Sequence, residues 1–546
     1  MKQLTKFALT SISVALLSAC GGGGDSAPES GATTTSLSGV VADGYLRGAT
    51  VCLDINQNAV CDSDEPTAVT GQGGAYTMTD IPSGVESTAS LLVEVPATAV
   101  DEDNPDVAVG QAYFLSAPAG QHAFISPLTT MLHQQMQNES QTKDEAMSAL
   151  QSQLKLNIDL TQNYIEMKQS TTDEDQVEYE AAHSTAQAVV RTLQQNLTTL
   201  GEVAPAQKSA VMSRLVTMAQ QAAASQGGDV KPDLTFGVES PNTLKASIAS
   251  ATNDAASATQ DIRIAFDLVH NEDSIRCGDP ISLTNVDSQV DPTVPQDTTG
   301  QLIDARFFVS NVLVTKADGS VTPVYLAQND NQYQDVALLD FGYNTASSGV
   351  ACTATYNMEI TGKVAPGDYT GATMTVGVPI RSADLETKLN HTDRTFDSER
   401  AAITTSGMNW SWQGGRKFIK LEFMPDEPID KPDSSTTPKW NVHIGSTGCV
   451  GDPTIAGNET ACTNPNRLDL NFSEFDASNQ KIVLDVARLF AKSDVTYEAG
   501  GAVGCMSSVS DPECPAIFET LGISLTDGQT LTGEDQQSVF SVRNKN

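Results

Sequence analysis

The chain has 546 residues, and 31 lysine or arginine against 68 aspartate or glutamate residues give a formal net charge of −37. The length is too great for one hydrophobic core and predicts about three domains, while a hydrophobic content of 39% argues against global disorder. The negative charge argues against nucleic acid as a partner, because it would repel phosphates.

The first 36 residues have the pattern of an exported lipoprotein. Lys2 and Lys6 precede an apolar stretch that is too short to span a bilayer and ends at LLSAC. This ending resembles the bacterial lipobox, with Cys20 as the lipidated residue; the alternative is an ordinary signal peptide with an incidental cysteine. We predict a signal peptide over 1–20 and a Gly/Ser-rich tether over 21–36. The expected location is the outer membrane, facing the periplasm or the cell surface.

Residues 37–100 read as short strands separated by glycine turns, which predicts a small β-sandwich. The region resembles the prealbumin-like, SdrD-B-like domains of bacterial surface proteins. It contains DINQNAVCDSDE, in which oxygen-bearing groups occupy positions 1, 3, 5, 7, 9 and 12 of an EF-hand-type loop. The predicted calcium ligands are Asp54, Asn56, Asn58, the carbonyl of Val60, Asp62 and Glu65.

Two features of this loop depart from an EF-hand. Ala59 stands where the turn glycine is usual, and no helices flank the loop. A bridge between Cys52 and Cys61 would rigidify the turn without an ion. Calcium binding and an ion-free, Asx-rich turn therefore both stay open.

Residues 101–258 show apolar residues at helical spacing and predict a small helical bundle. In SPLTTMLHQQM, Ser126 is placed to cap a helix that begins at Pro127, and Met147, Leu150 and Leu154 share one face further on. The region has three histidines without ligand spacing, for which we expect surface or packing roles: His122, His133 and His183.

Residues 259–546 return to β-type alternation, as in LIDARFFVSNVLVT, DVALLDF and KFIKLEF. An all-β sandwich is the natural class. The chain as a whole is therefore predicted to be mainly β, with a small N-terminal sandwich, a helical middle and a larger C-terminal sandwich.

The cysteine count is consistent with disulfide bonds in an exported protein. Eight cysteines are left when Cys20 is set aside, and although eight allow 105 connectivities, pairing neighbours along the chain gives four bridges. These are Cys52–Cys61, Cys277–Cys352, Cys449–Cys462 and Cys505–Cys514.

Three histidines of the last region are candidate metal ligands: His270, His391 and His443. Imidazoles that converge from separate strands form a common copper or zinc site, although spacing alone does not establish convergence. The sequence lacks HExxH, GxSxG, P-loop and GxGxxG motifs, so the familiar hydrolase, kinase and dehydrogenase functions have no support.

The C-terminal half resembles the MbnP-like proteins, the four-Cys-motif member of the "metallo-mystery pair". The resemblance rests on RFFVSNV, YQDVALLDF, GDYTGATMTVGVP, LNH, MNWSWQGGRKFIKLEF, HIGSTGC and GCMSSVSDPEC, and it covers about residues 259–546. It implies a β-sandwich that binds copper through histidines. It also implies a di-haem cytochrome c peroxidase-like partner that oxidises a tryptophan to kynurenine. Carried over, His443 and His391 are the best copper ligands, with His270 as the third.

Three tryptophans are candidates for that oxidation: Trp410, Trp412 and Trp440. The family often has Trp-Gln before the ALLDF strand, where this chain has Tyr333-Gln334, so oxidation at that position is not possible here. Core or interface packing is the alternative for all three.

The resemblance thus predicts a copper-binding lipoprotein that its partner oxidises, which makes the chain a substrate and not an enzyme. A structural or adhesive lipoprotein without metal is the second hypothesis. A metal-dependent enzyme is the third, and no acid/base pair beside the histidines supports it.

Overall fold

Two β-rich regions joined by helices make up the chain. The computed structural model describes residues 34–139, 141–170, 174–200, 210–216, 219, 241–253, 255–284, 297–379, 407–410, 415–450, 461–533 and 536–545.

The first region contains two main sheets with strand orders β5-β1-β9 and β4-β3-β6-β8, and a small β2-β7 pair. Strand β5 has buried and exposed side chains in near alternation, whereas β3, β6 and β8 are buried along most of their length. The strands are β1 Thr34–Val41, β2 Leu46–Arg47, β3 Thr50–Asp54, β4 Thr67–Val69, β5 Ala75–Pro82, β6 Ser90–Val95, β7 Val100–Asp101, β8 Tyr113–Ala117 and β9 Phe124–Ile125.

Helices follow these strands and pack against them. The first begins at Pro127, and the hydroxyl of Ser126 accepts a hydrogen bond from the backbone of Thr129, so the predicted cap is confirmed. No helix within the described ranges is long and apolar enough to cross a membrane. The helices are α1 Pro127–Glu139, α2 Lys143–Leu154, α3 Tyr164–Ser170, α4 Glu174–Leu200 and α5 Pro241–Thr252.

The boundary that the sequence placed at residue 100 differs from the structure. Strands β8 and β9 lie in the range assigned to helices, and one hydrophobic cluster extends from Leu37 to Ile248. The sheets of the first region need β8 and the helices to cover their apolar faces, so sandwich and helices share one core. The short alternation in AYFLSA was too weak to indicate a strand.

The C-terminal region is a β-sandwich, as predicted. A six-stranded sheet, β15-β18-β10-β27-β28 with β11, faces a nine-stranded sheet built around β13. The strands are β10 Gln260–His270, β11 Asp273–Ser274, β12 Pro280–Thr284, β13 Asp297–Lys316, β14 Val321–Pro323, β15 Tyr325–Leu326, β16 Gln332–Tyr333, β17 Val336–Tyr343, β18 Glu359–Val364, β19 Tyr369–Val376, β20 Ile419–Pro425, β21 Ile429–Asp430, β22 Thr436–Thr437, β23 Trp440–Ile444, β24 Thr447–Val450, β25 Ala461–Asn464, β26 Leu468–Phe472, β27 Gln480–Asp485 and β28 Phe540–Asn544.

The long strand β13 organises the larger sheet. It pairs with β12, β14 and β17 and also with β19 and β20, and β20 pairs in turn with β23. Leu421 and Phe423 of β20 and Val442 of β23 point into the core between the sheets. Residues at the alternate positions of β20 and β23 therefore lie on the opposite face. Two short helices, α6 Val486–Leu489 and α7 Cys514–Leu521, pack at one end of the core.

Candidate metal centre

The loop over residues 54–65 is closed by its own hydrogen bonds. The carboxylate of Asp54 accepts from the backbone of Asn58 and Ala59, each at 3.0 Å, and the side-chain amide of Asn58 donates to Asp62 at 2.7 Å. Ala59 takes the left-handed backbone conformation, with φ of 60°, that an EF-hand glycine usually supplies. These contacts belong to an Asx-rich turn and involve the same side chains as the predicted calcium ligands, so calcium binding stays a prediction.

His270 lies at the end of β10 in an open pocket of about 530 Å³. Its Nε2 lies 2.8 Å from the carbonyl oxygen of Ser282 and donates a hydrogen bond to it. The pocket is also lined by Asp426, whose carboxylate accepts a hydrogen bond from the hydroxyl of Thr299. His270 is a partly exposed histidine among hydrogen-bonding groups.

His443 lies on the outer face of β23 and is 6% exposed. Its Nε2 lies 2.9 Å from Oε1 of Glu422 on the neighbouring strand β20. A carboxylate only accepts hydrogen bonds, so Nε2 carries the proton and Nδ1 has a free lone pair. Nδ1 is buried and has no hydrogen-bond partner among the described residues.

Burial lowers the pKa of His443 to about 4, although the hydrogen bond and charge of Glu422 oppose that shift. Burial alone would raise the pKa of Glu422, but the hydrogen bond from His443 and the charges of Lys420 and Lys439 hold it well below its ordinary value. At neutral pH the pair is therefore a neutral imidazole beside a carboxylate. A carboxylate behind a histidine in this way fixes the ring and makes the free nitrogen a better metal ligand.

A network of charges surrounds this pair on the outer face of the sheet. Arg306 forms a two-pronged ion pair with Asp304 on β13, with distances of 2.9 and 2.7 Å. Lys420 bridges Asp304 and Glu422, and Lys439 contacts Glu422 at 2.6 Å. Buried charges are tolerated when each has partners of opposite sign, so this network allows Glu422 to stay ionised.

Trp410 covers the same face. It is 2% exposed, and its ring lies edge-on to the ring of His443 with centroids 6.0 Å apart. The Lys417 ammonium lies 5.4 Å from the centre of the Trp410 ring, and burial lowers the pKa of Lys417 to about 8. Trp440 points instead into the core, edge-on to Phe490 at 5.5 Å. Trp410 is therefore the described tryptophan that contacts His443.

Strand register separates His270 from His443. The pocket of His270 is bounded by Gly300, which pairs with Pro425 of β20, whereas His443 pairs with Lys420 of the same strand. Lys420 and Pro425 are five residues apart, roughly 16 Å along a strand, so the pocket of His270 and the side chain of His443 lie at different points along β20. The structure does not bring His270 and His443 together, and His270 as a third ligand stays a prediction.

Several predicted positions lie outside the described residues: Cys20, His391 and Trp412. Within the described residues, no three His, Cys, Asp or Glu side chains are placed to hold a metal ion together. His443 is therefore the candidate ligand that the structure describes in detail, and the second predicted histidine, His391, remains a sequence prediction.

Three of the four predicted disulfides are confirmed. Bridges join Cys52 to Cys61, Cys277 to Cys352 and Cys505 to Cys514. Cys462 is disulfide-bonded, and the register of β24 and β25 places its Cα directly opposite that of Cys449. That arrangement is the one the fourth predicted bridge requires.

Sequence reasoning missed Glu422, Lys417 and the charged network. The signal for them is the alternation in KFIKLEF, where Lys420 and Glu422 fall between the core residues Ile419, Leu421 and Phe423. Polar residues at alternate positions predict a solvated face. In this protein residues 407–410 and 415–416 cover that face, and this requires the tertiary structure.

Fold and site together define a disulfide-bonded β-sandwich domain with a buried histidine–carboxylate pair on the outer face of one sheet. The family model described as MbnP matches residues 259–507. MbnP from Methylosinus trichosporium is 35% identical in sequence, over 52% of this chain and 98% of that chain, with a TM-score of 0.45. No curated protein matches the chain. The identity over almost the full length of that protein shows that this chain belongs to the MbnP family.

Proposed function

We propose that the chain is an exported lipoprotein whose MbnP domain binds copper, with Nδ1 of His443 as a ligand and Glu422 as the group that orients it. The observation that carries this proposal is the buried, unpartnered Nδ1 of a neutral histidine whose other nitrogen is fixed by a carboxylate. A buried nitrogen without a partner costs free energy, and a bound metal ion would remove that cost.

Copper is the preferred ion for two reasons. Imidazole ligands suit copper, which also binds more tightly than the other first-row divalent metals, and copper is what the family resemblance implies. His391 in LNH is the second proposed ligand because it matches the family motif. The charged network would remain in place on binding, since the Nε2–H of His443 continues to donate its hydrogen bond to Glu422.

Metal analysis of the purified full chain tests this proposal. We expect one tightly bound copper in the wild type, its loss in His443→Ala and in His391→Ala, and its retention in His270→Ala, which is the matched control. Far-ultraviolet circular dichroism verifies that each variant is folded. Equal copper in the wild type and in folded His443→Ala would contradict the proposal and favour the alternative of a structural or adhesive lipoprotein without metal.

The proposed partner is a di-haem cytochrome c peroxidase-like protein that oxidises a tryptophan of this chain to kynurenine. Trp410 is the preferred target because its ring contacts His443, whereas Trp440 lies on the other side of the sheet. The partner would use peroxide as oxidant, and the chain would be its substrate and not itself an enzyme.

Intact-mass analysis after incubation with the partner and hydrogen peroxide tests this step. We expect the mass to change in the wild type and in Trp440→Phe but not in Trp410→Phe. A mass change that persists in Trp410→Phe would move the assignment to Trp412, and an unchanged wild-type mass would contradict the proposed partner.

Export and lipidation complete the proposal. The disulfides support export, since such bonds form and persist in oxidising compartments. Lipidation is proposed at Cys20 on the strength of LLSAC. Metabolic labelling with a fatty acid should label the wild type and not Cys20→Ala; equal labelling of both would contradict the anchor.

A further inference from the structure

A cluster of three buried carboxyl groups lies behind the strand that carries His443. Glu498 is 1% exposed, Asp511 6% and Glu513 9%, and all belong to the segment 498–513, which includes Cys505 of the last disulfide. Acidic residues are rarely buried to this degree unless they are paired, so the cluster requires an explanation.

Backbone N–H groups of the same segment bind these carboxyl groups. Glu498 accepts from Gly504 and Glu513 from Ala499, both at 2.7 Å, and Asp511 accepts from Met506 at 3.1 Å. One oxygen of Glu498 and one of Glu513 are buried and accept no hydrogen bond from an N–H or hydroxyl group of the described residues. The carboxyl groups thus close the segment into a loop but are not neutralised by it.

A proton on one of these carboxyl groups reduces the electrostatic repulsion between them. The side chains of Asp511 and Glu513 are hydrogen-bonded to each other, and two carboxyl groups form such a bond only when one of them is protonated. Burial, followed by this hydrogen bond, raises the pKa of Glu513 to about 8. Burial also raises the pKa of Glu498, and Lys431 is the cation whose charge opposes that shift. Helix α7 begins beside Glu513 but receives no side-chain cap from it.

The loop holds the strand of His443 from one side. The backbone N–H of His443 donates to the carbonyl of Cys505 at 2.9 Å, and the hydroxyl of Ser507 donates to the carbonyl of His443 at 2.8 Å. Asn441, two residues earlier, donates to the carbonyl of Val503 at 3.0 Å. A change in the loop therefore acts directly on the backbone of β23.

We propose that residues 498–513 are a proton-held clamp on β23: one proton shared by Asp511 and Glu513 keeps the loop closed, and its loss loosens the loop from the strand. With the proton gone, three buried carboxylates face one another, and like charges in a poorly hydrated site repel strongly. The clamp needs no metal. Its consequence, weaker copper binding above about pH 8, rests on the proposed function.

The sign of the stability effect follows from the raised pKa. The ordinary glutamate pKa is 4.5 and that of folded Glu513 about 8, so between these values the unfolded chain has lost a proton that the folded loop retains. The equilibrium constant for unfolding then rises by up to about tenfold per pH unit. Above pH 8 both states are ionised and this contribution no longer changes.

Hydrogen exchange tests the clamp. It is measured on the full chain without copper or calcium, and the variants are compared at the same pH. We expect protection of residues 441–445 to fall in the wild type between pH 7 and pH 9 and to persist in Glu513→Gln, whose amide needs no proton to donate to Asp511. Glu519→Gln, an exposed position on α7 paired with Lys492, is the matched control and should behave like the wild type.

A second variant and a direct titration keep the test decisive. If Glu513→Gln does not fold, Asp511→Asn replaces it, because the introduced amide donates to Glu513 and should equally abolish the pH response. The carboxyl carbon signal of Glu513 should titrate near pH 8. Three results would overturn the proposal. The first is titration of Glu513 near pH 4.5, and the second is equal protection of the wild type and Glu513→Gln at pH 9. The third is full restoration of protection at pH 9 by excess calcium chloride, which would assign a cation to the cluster. Every readout is made without copper, so a failed copper test leaves the proposal unaffected.

Discussion

Two polar clusters of this chain, the loop over residues 54–65 and the charged face around His443, contrast in how they are built. The loop takes its donors and acceptors from twelve consecutive residues, and a bridge between cysteines nine positions apart anchors it. The face takes Asp304 from β13, Glu422 from β20 and His443 from β23, positions up to 139 residues apart.

The two clusters also differ in burial, which affects how much free energy of unfolding a substitution in each should cost. The centre of the loop is solvated, so the hydrogen bonds of Asn56 and Asn58 to Asp62 replace bonds to water and contribute little each. The face is buried, so every charge on it depends on its partners. Changes to the face are therefore expected to cost more than equivalent changes to the loop.

The largest expected effect comes from comparing disulfides in the two regions. The Cys277–Cys352 bridge closes 75 residues and the Cys52–Cys61 bridge only 9, so chain entropy predicts losses of about 4.5 and about 2.6 kcal/mol when each pair is changed to serine. All three tryptophans lie in the C-terminal half, so tryptophan fluorescence in urea measures the unfolding of that half. Calorimetry measures the unfolding of the first region. An equal or larger loss for the short bridge would break the comparison.

Glu422→Gln should destabilise the C-terminal half by roughly 3 kcal/mol, because it removes the buried carboxylate that Lys420, Lys439 and His443 contact. The control is Glu359→Gln, which removes an exposed pair with Arg263 on the surface of the same domain and should cost less than about 1 kcal/mol. Tryptophan fluorescence in urea measures both, and similar losses would show that the charged face is not buried in solution.

Acid should weaken the C-terminal half through His443. Its pKa is about 4 when folded and 6.5 ordinarily, so the unfolded state gains a proton first, and the unfolding constant rises by up to about tenfold per unit as pH falls from 6.5 to 4. Glu513 acts with the opposite sign from pH 4.5 upward, so the two contributions offset in the wild type. The informative quantity is the difference between the wild type and His443→Gln in how the unfolding constant changes with pH.

His133 supplies the matching control in the first region. Burial lowers its pKa to about 4 as well, so His133→Gln should change the acid sensitivity of the calorimetric transition of that region and leave tryptophan fluorescence unchanged. A C-terminal transition with the same pH slope in His443→Gln and the wild type would contradict the assignment.

The smallest effects are expected in the loop. Without calcium, Asp62→Asn should leave the melting temperature of the first region unchanged, because its amide partners are solvent-exposed and can bind water. If the loop binds calcium, the ion should raise that temperature in the wild type and in Asp64→Asn, which alters a non-ligand position, but not in Asp62→Asn. An equal rise in all three would show that calcium acts elsewhere.

Much of the fold was predictable from the sequence. The cap at Ser126, the strands in LIDARFFVSNVLVT and KFIKLEF, and three disulfides agree with the structure. These features depend on local periodicity, capping residues and cysteine spacing, which a single sequence displays. The boundary at residue 100 was missed because β8 belongs to its sheet through pairing with β6, a contact that local patterns do not indicate.

The candidate site was predictable only in part. The family motif indicated His443, but Glu422, which accepts its hydrogen bond, and Trp410, which contacts its ring, come from other segments. The separation of His270 from His443 likewise follows from register along β20, which residue types alone do not fix.

The sequence by itself determined the classes of the parts: a β-rich first region, helices, a β-sandwich of the MbnP family, and cysteines paired with their neighbours. The strands and helices follow from side-chain periodicity, the family from its motifs, and the cysteine pairing from nearness along the chain. Only the tertiary structure decided which polar residues are buried together, because burial depends on what covers a strand. Among the histidines of the sequence it identifies His443 as a described candidate ligand with a free nitrogen. It also places three acidic residues in buried positions behind the strand of His443.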